Sequence, residues 1–235
     1  MMKLPILISV PHAGLEIPSE VRAYNLLTQK EIIDDGDEGA SEIYAVESYV
    51  QAYVTTDVAR AYVDMNRSEN DRTRDGVVKT HTCRDVPIYV RPLPADLIDV
   101  MIKKYYRPYH EKLTSFSSGV KFGIDCHTMA DIGPPVSPDP GQKRPLVCLS
   151  NADGTFPVDW LKIMKDCFQQ SFQVGISLNQ PFKGGNIIRT HAPEMPWVQV
   201  EISRTNDLDN KQKHKKFLDA IKQFHSIIMG AEPDK

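Results

Sequence analysis

Two histidines stand at matching places in this chain of 235 residues. His12 follows the apolar run Leu4, Ile6, Leu7, Ile8 and Val10 and is bracketed by Pro11 and Gly14. His127 follows Val120-Lys121-Phe122-Gly123-Ile124, with Asp125 two positions before it. An imidazole at the carboxyl end of a buried strand is placed for metal ligation or proton transfer, because ligands of open α/β sheets gather at that edge. On an extended chain Asp125 points to the same side as His127, where it can orient the ring. Between them, Asp34-Asp35-Gly36-Asp37-Glu38-Gly39 packs four carboxylates around two glycines. Capping of a helix start accounts for one or two of these. The remainder suit a cation site or a polar rim.

Further along, Glu201 lies between the apolar residues Val200 and Ile202. A charge inside such a strand is costly unless it is paired or used. Arg67, Arg189 and Arg204 carry planar forks of the kind that hold carboxylates through two parallel hydrogen bonds. Each of these residues has a plainer reading. A lone histidine usually caps or packs, and a lone arginine usually bridges a neighbouring acid. The set is what shifts the balance. Two histidines and a carboxylate delivered by separate strand ends are the usual protein ligands of a catalytic zinc that keeps its fourth position for water. His12, Asp37 and His127 fit that scheme, with Asp35 and Glu38 open as alternatives to Asp37. Such an ion lowers the pKa of water towards roughly 7 and polarises a carbonyl oxygen. Glu201, outside the ligand set, is the candidate base that takes the proton and passes it to a departing amine. Three arginines exceed what one oxyanion needs and suit a substrate bearing carboxylates.

The elements that must position these groups alternate along the chain. Lys3 to Val10 predicts a strand covered on both faces. Thr28-Gln29-Lys30-Glu31 has the form of a capping box opening a helix. Tyr53-Val54-Thr55-Thr56 and Ala59 to Val63 predict short strands around a turn at Asp57, and Ser68 to Gly76 a polar surface loop. Val86 to Arg91 reads as an edge strand broken by proline. Leu97, Ile98, Met101, Ile102, Tyr105 and Tyr109 form a helical stripe that Pro108 should kink or end, with His110 as a packing histidine. Ile132 to Arg144 is an irregular, proline-rich excursion suited to a lid. Pro145 to Ser150 predicts a buried strand, Val158 to Phe172 a helix opened by Pro157, Val174 to Leu178 a short strand, Trp197 to Arg204 a strand, and Lys211 to Ile228 a terminal helix bearing His214 and His225. Gly184-Gly185 leading to Arg189-Thr190-His191 reads as one turn-like stretch and lacks the spacing of a phosphate loop. The fold class is α/β: a mixed, mostly parallel sheet between two helix layers, α/β/α, in one domain over residues 1–235.

Composition narrows the partners. The net charge of -3, with 41% hydrophobic and 25% charged residues, gives no reason to expect nucleic acid and points to small molecules. No run is long and apolar enough for a membrane span, and no signal peptide opens the chain, so the cytoplasm is the default compartment. Cys83, Cys126, Cys148 and Cys167 are scattered without a CxxC pair, and read as reduced, mostly buried thiols.

Ser9-Val10-Pro11-His12-Ala13-Gly14, Asp64-Met65-Asn66-Arg67, Asp125-Cys126-His127-Thr128-Met129, Gly184-Gly185 with Arg189-Thr190-His191, and Gln199-Val200-Glu201-Ile202 with Arg204 occur in that order. The ordered set resembles the N-formylglutamate amidohydrolase family. The family is similar in fold to zinc carboxypeptidases and aspartoacylases. The resemblance implies hydrolysis of N-formyl-L-glutamate to formate and glutamate by zinc-activated water, one zinc per chain, a late step of one histidine-degradation route. By motif it implies His12, Asp37 and His127 as zinc ligands and Glu201 as general base. It gives Arg189 a role in substrate binding and catalysis, and Asn66, Arg67, His191 and Arg204 a role in substrate binding. Where the family often has tryptophan and histidine after the ligand aspartate, this chain has Glu38 and Gly39, and Ala192 stands where glycine often follows the histidine. Two other readings share the same residues: a zinc hydrolase of another N-acyl amino acid or small peptide, and a non-catalytic module that binds a metal or a carboxylate.

Overall fold

The computed structural model describes residues 3–135, 137, 139–205 and 207–230. Six strands form one sheet: β1 (Leu4–Val10), β2 (Val50–Thr55), β3 (Phe122–Met129), β4 (Val147–Ser150), β5 (Ser177–Leu178) and β6 (Trp197–Ser203), in the spatial order β2-β1-β3-β6-β4-β5. β2, β1, β3 and β6 run parallel, β4 is antiparallel to β6, and β5 is parallel to β4. The sheet is therefore mixed and mostly parallel, as predicted, and the carboxyl ends of β1, β3 and β6 share one edge.

Two apolar layers cover it. On one face Ile6, Ile8 and Val10 of β1, Phe122, Ile124 and Cys126 of β3, and Val198, Val200 and Ile202 of β6 pack with Phe168, Phe217 and Phe224. These last belong to the long helices α5 (Val158–Phe172) and α7 (Asn210–Gly230). On the other face Leu7 and Trp197 pack with Tyr109, Leu113, Ile187 and Ile188. Burial of each large aliphatic or aromatic side chain contributes about 1.5–3 kcal/mol, which is why residue alternation in the strands fixes the sheet's faces. The second face changes character towards the carboxyl edge. Leu7 gives way to Ser9 in β1, Gly123 to Asp125 and His127 in β3, and Trp197 to Gln199 and Glu201 in β6. Register aligns the change: Ser9, Asp125 and Gln199 are cross-strand neighbours, and His127 is paired with Glu201.

Helix α1 (Gln29–Asp35) opens on the predicted capping box, in which the Thr28 side chain accepts from the Glu31 N–H and Glu31 accepts from the Thr28 N–H. It ends at Gly36, and the next N–H, of Asp37, donates to the carbonyl of His12 at 3.1 Å before α2 (Ala40–Ile43) begins. Pro108 does not end its helix, which runs on to Ser117. α3 (Ala95–Met101) passes through a π-helical turn at Ile102–Tyr106 into α4 (Arg107–Ser117), and the Arg107 N–H reaches back to Ile102. The wider turn precedes a proline that can neither donate nor tolerate a normal carbonyl behind it.

Two predicted strands are absent. Ala59 to Val63 is a buried turn, with the N–H groups of Tyr62 and Val63 both donating to Ala59. Apolar, β-branched composition marks burial there, which a turn beneath other chain satisfies equally. Val86 to Arg91 makes only isolated bridges, Pro87 with His81 and Tyr89 with Asn25. The Gly184–His191 stretch, read as a turn, contains the short helix α6 (Asn186–His191). The predicted strand at Val174 to Leu178 shrinks to β5. Within the Ile132 to Arg144 excursion, Val136 and Pro138 lie outside the described residues. All four cysteines are free thiols, three of them buried. No helix among the described residues is long and apolar enough to cross a membrane.

Candidate active site

β1 and β3 deliver His12 and His127 to the carboxyl edge, and the connection from α1 to α2 delivers Asp37 beside them. Gly14 is required here by contact, since a Cβ would lie 2.4 Å from the carbonyl of Asp57. All three side chains are buried: His12 is 4% exposed, Asp37 6% and His127 4%. His127 Nδ1 lies 3.2 Å from His12 Nδ1 and 3.0 Å from Asp37 Oδ2, and His12 Nδ1 lies 3.5 Å from the same oxygen.

The outer nitrogens are occupied. His12 Nε2 is 2.8 Å from Asp64 Oδ1, and His127 Nε2 is 2.8 Å from Asp125 Oδ2. Both carboxylates are fully buried. Carboxylates only accept, so the two Nε2 atoms donate, and with each ring neutral, the form that binds a metal, the two Nδ1 lone pairs converge with Asp37 Oδ2 on one point. Three electron-rich atoms so close together repel one another unless a cation lies between them. Ligands about 2.0–2.1 Å from a tetrahedral zinc are about 3.4 Å apart, close to the separations here. The three residues thus fit a divalent cation with nitrogen and oxygen ligands.

Each orienting carboxylate is itself held. Asp64 also accepts from the Asn66 N–H and from Arg60 Nε, and Asp125 Oδ1 accepts from Ser9 Oγ at 2.9 Å. Burial alone would raise the Asp37 carboxyl, but His12 and His127 beside it outweigh burial and hold it well below the usual carboxylate range. For Asp64 the neighbouring His12 and Arg60 likewise overcome burial.

Asp35 and Glu38 are elsewhere. Asp35 is buried against Lys79 Nζ, 2.9 Å from each carboxylate oxygen, and Glu38 is exposed, offering only its backbone carbonyl to Thr128.

His12, Asp37, His127 and Glu201 line one cavity of about 420 Å³. Glu201 is 5% exposed, and burial, only partly opposed by His127, pushes its carboxyl up to about 7. Arginines 60, 67, 74, 144 and 204 line the same cavity. Most are already paired: Arg60 with Asp64, Arg67 with Asp75, Arg74 with Asp85, and Arg144 with Asp139. Arg204 has no carboxylate within ion-pair distance among the described residues, and its buried Nε has no partner. Arg189 is exposed on α6 and His191 is buried beneath it; neither is part of the cavity wall. His191 instead bonds His110 and Glu194. Asn66 is at the cavity, but its amide is committed, Nδ2 to Asp125 Oδ2 and Oδ1 to the Ile187 N–H.

Asp64, Gln199, Arg60, Arg74 and Arg144 have no functional assignment from the sequence. Asp64 and Gln199 each stand two positions from a residue singled out there, Asn66 and Glu201, and strand alternation could have marked Gln199. Nothing in the local sequence marks the three arginines.

A mixed α/β sheet whose carboxyl edge gathers two imidazoles and a carboxylate beside a lone buried glutamate defines a hydrolase-type α/β protein with a candidate metal centre. The sequence model of the N-formylglutamate amidohydrolase family matches residues 4–206, and the chain belongs to that hydrolase family. No curated protein sequence matches significantly. Among solved structures, N-formylglutamate amidohydrolase from Ralstonia eutropha JMP134 is similar in fold, with 19% identity, a TM-score of 0.77, and coverage of 98% of this chain and 94% of that one. The gene product Atu2144 from Agrobacterium tumefaciens aligns at 16% identity and a TM-score of 0.71 over 96% of this chain and 91% of that one.

Proposed function

We propose that this chain is a single-domain, zinc-dependent amidohydrolase of the cytoplasm that cleaves N-formyl-L-glutamate, or a closely similar N-acyl acidic amino acid, to the acid and the free amino acid. The convergence of His12 Nδ1, His127 Nδ1 and Asp37 Oδ2 beside Glu201 carries the reading. Membership of the family and the likeness to the Ralstonia N-formylglutamate amidohydrolase support the substrate. A place in histidine degradation follows from that substrate.

His12, Asp37 and His127 would hold the ion. When bound, zinc supplies Lewis-acid polarisation of the acyl oxygen and acidifies water. The protein's own residues do the rest. Asp64 and Asp125 keep each imidazole's Nε2 protonated and its Nδ1 aimed inward. The Glu201 carboxylate accepts a proton from the attacking water, whose oxygen adds to the acyl carbon. As the C–N bond breaks, Glu201 returns that proton to the amine nitrogen, so no net proton is gained or lost. Arg204, without an ion pair among the described residues, offers its guanidinium to a substrate carboxylate, and Arg67 offers a second after exchanging Asp75 for it.

The test is turnover of formyl-, acetyl- and succinyl-glutamate and aspartate by zinc-loaded protein, with metal content measured in parallel. Formylglutamate should be preferred, and hydrolysis of none of the six by fully loaded protein would refute the reading.

A further inference from the structure

Two side-chain amides stand between the backbone of residues 185–187 and the reactive side chains, and that backbone dictates how each amide is turned. Gln199 is 3% exposed, and its Oε1 accepts the Gly185 N–H at 2.7 Å. Its Nε2 then donates to Glu201 Oε1 at 2.9 Å. Asn66 repeats the pattern. Its Oδ1 accepts the Ile187 N–H at 2.8 Å, and its Nδ2 reaches Oδ2 of Asp125, the carboxylate on His127, at 3.3 Å. The backbone comes this close because residue 185 is glycine: a Cβ there would lie 2.2 Å from Asn66 Nδ2.

An amide whose oxygen is taken by an N–H presents only N–H to its other neighbour. Turning the Gln199 amide over would set oxygen against Glu201 Oε1 and nitrogen against the Gly185 N–H, leaving two buried clashes of like groups. Oε1 of Glu201 is therefore always an acceptor. A proton arriving at this carboxyl is favoured on Oε2, because protonating Oε1 would weaken the acceptor that Gln199 holds.

We infer that Gln199 is a positioning residue for the hydrolysis proposed above, on which this inference rests: it pins Glu201 through Oε1 and leaves Oε2 as the atom that takes and returns the proton. Asn66 holds the ligand side of the site from the same stretch of backbone, so residues 185–187 brace both halves. Gln199 lines the same cavity, but both of its amide atoms are engaged, Oε1 by the Gly185 N–H and Nε2 by Glu201. Its effect on proton transfer runs through Glu201.

The experiment is a double-mutant cycle on N-formyl-L-glutamate turnover by zinc-loaded protein. Gln199→Met keeps length and burial and removes both hydrogen bonds. It should lower kcat about tenfold to a hundredfold, the worth of a buried hydrogen bond to a charged group. KM should change by less than about threefold, because substrate binding is untouched. Metal content should stay the same. In the Glu201→Gln background the same change should alter the residual rate little, since no base is left to aim. A kcat unchanged in Gln199→Met, or a loss of equal factor in both backgrounds, overturns the inference. Gln199→Glu is the second variant, keeping the acceptor for Gly185 while setting a carboxylate against Glu201. It should lose at least as much kcat, and wild-type turnover in it also overturns the inference. Failure of the underlying reading shows separately, as full activity in the Glu201→Gln single variant.

Discussion

His12 and His127, separated by 115 positions in the chain, bring their Nδ1 atoms to 3.2 Å from each other. Each turns its other nitrogen onto a fully buried aspartate, Asp64 for His12 and Asp125 for His127. Neither ring can rotate away without stranding that aspartate. His12→Ala or His127→Ala should therefore abolish zinc binding, read by elemental analysis after dialysis. Asp64→Asn and Asp125→Asn should weaken it by about tenfold to a hundredfold, the usual cost of losing an orienting carboxylate. Chelation should remove activity, and added zinc should restore it.

Glu201 is the acid–base group of the proposed reaction and must be ionised to accept a proton. Its carboxyl, raised by burial to about 7, is protonated below that value and free above it. Activity should rise with pH through this range, and because a bound cation favours the carboxylate, the acid limb of kcat/KM should fall at or below about pH 7. Glu201→Gln should keep the metal and lose about a hundredfold to ten-thousandfold in kcat. Full turnover in that variant, measured beside its zinc content, would remove Glu201 from the mechanism.

Arg204 and Arg189 separate cleanly. Arg204 lines the cavity with an unpartnered Nε, whereas Arg189 is exposed on α6 outside the cavity wall. Arg204→Met should raise KM by about tenfold or more, as expected for a lost charge-assisted hydrogen bond, while Arg189→Met leaves kcat and KM near wild type. The opposite ranking in steady-state kinetics would return the carboxylate-binding role to Arg189.

His110 makes stability depend on pH on the acid side. Burial first, and the adjacent His191 second, hold its imidazole at about 4. An unfolded histidine titrates near 6.5, so between those values the unfolded chain binds the proton that the folded chain refuses. The stabilising difference is complete above about pH 6.5 and is lost as pH falls towards 4, a change of about 3 kcal/mol. Urea unfolding at a series of pH values should show this slope, and His110→Gln should flatten it.

Lys79 and Asp35 form an ion pair with both side chains fully buried. Asp35 also accepts from the Cys83 N–H. Lys79→Met should destabilise the protein by about 3–5 kcal/mol, because it leaves a buried carboxylate without its partner. Replacing both, Lys79→Met with Asp35→Leu, should recover much of that loss. Thermal and urea denaturation of the two variants decide the point.

Several features are legible in the sequence because they are local. Strand alternation places Asp125 with His127, and the structure has them bonded. The Thr28 to Glu31 capping box forms as spaced. The order of β-like and helical segments gives the mixed α/β sheet. Illegibility begins where burial rather than period selects residues. Ala59 to Val63 has strand composition but folds as a buried turn. Asp34, Asp35, Asp37 and Glu38 look equivalent in the chain. Only the end of α1, where the Asp37 N–H meets the His12 carbonyl, puts Asp37 against the histidines while Asp35 turns to Lys79. The arginines divide for the same reason, since whether a guanidinium is neutralised depends on how the loops fold, even where its acid is near in sequence, as Asp64 is to Arg60 and Asp139 to Arg144.

The amino-acid sequence by itself determined the main strands and long helices, the sheet's apolar faces and the presence of ligand-type residues at strand ends, because periodicity, capping and turn chemistry act over a few residues. Tertiary structure alone decided which carboxylate joins His12 and His127, which cavity arginine lacks an ion pair among the described residues, and which way the amides of Asn66 and Gln199 are turned. Those outcomes depend on how the folded chain brings segments together, from Gln199 and Gly185, 14 positions apart, to Asn66 and Ile187, 121 apart, and no local pattern encodes such a contact.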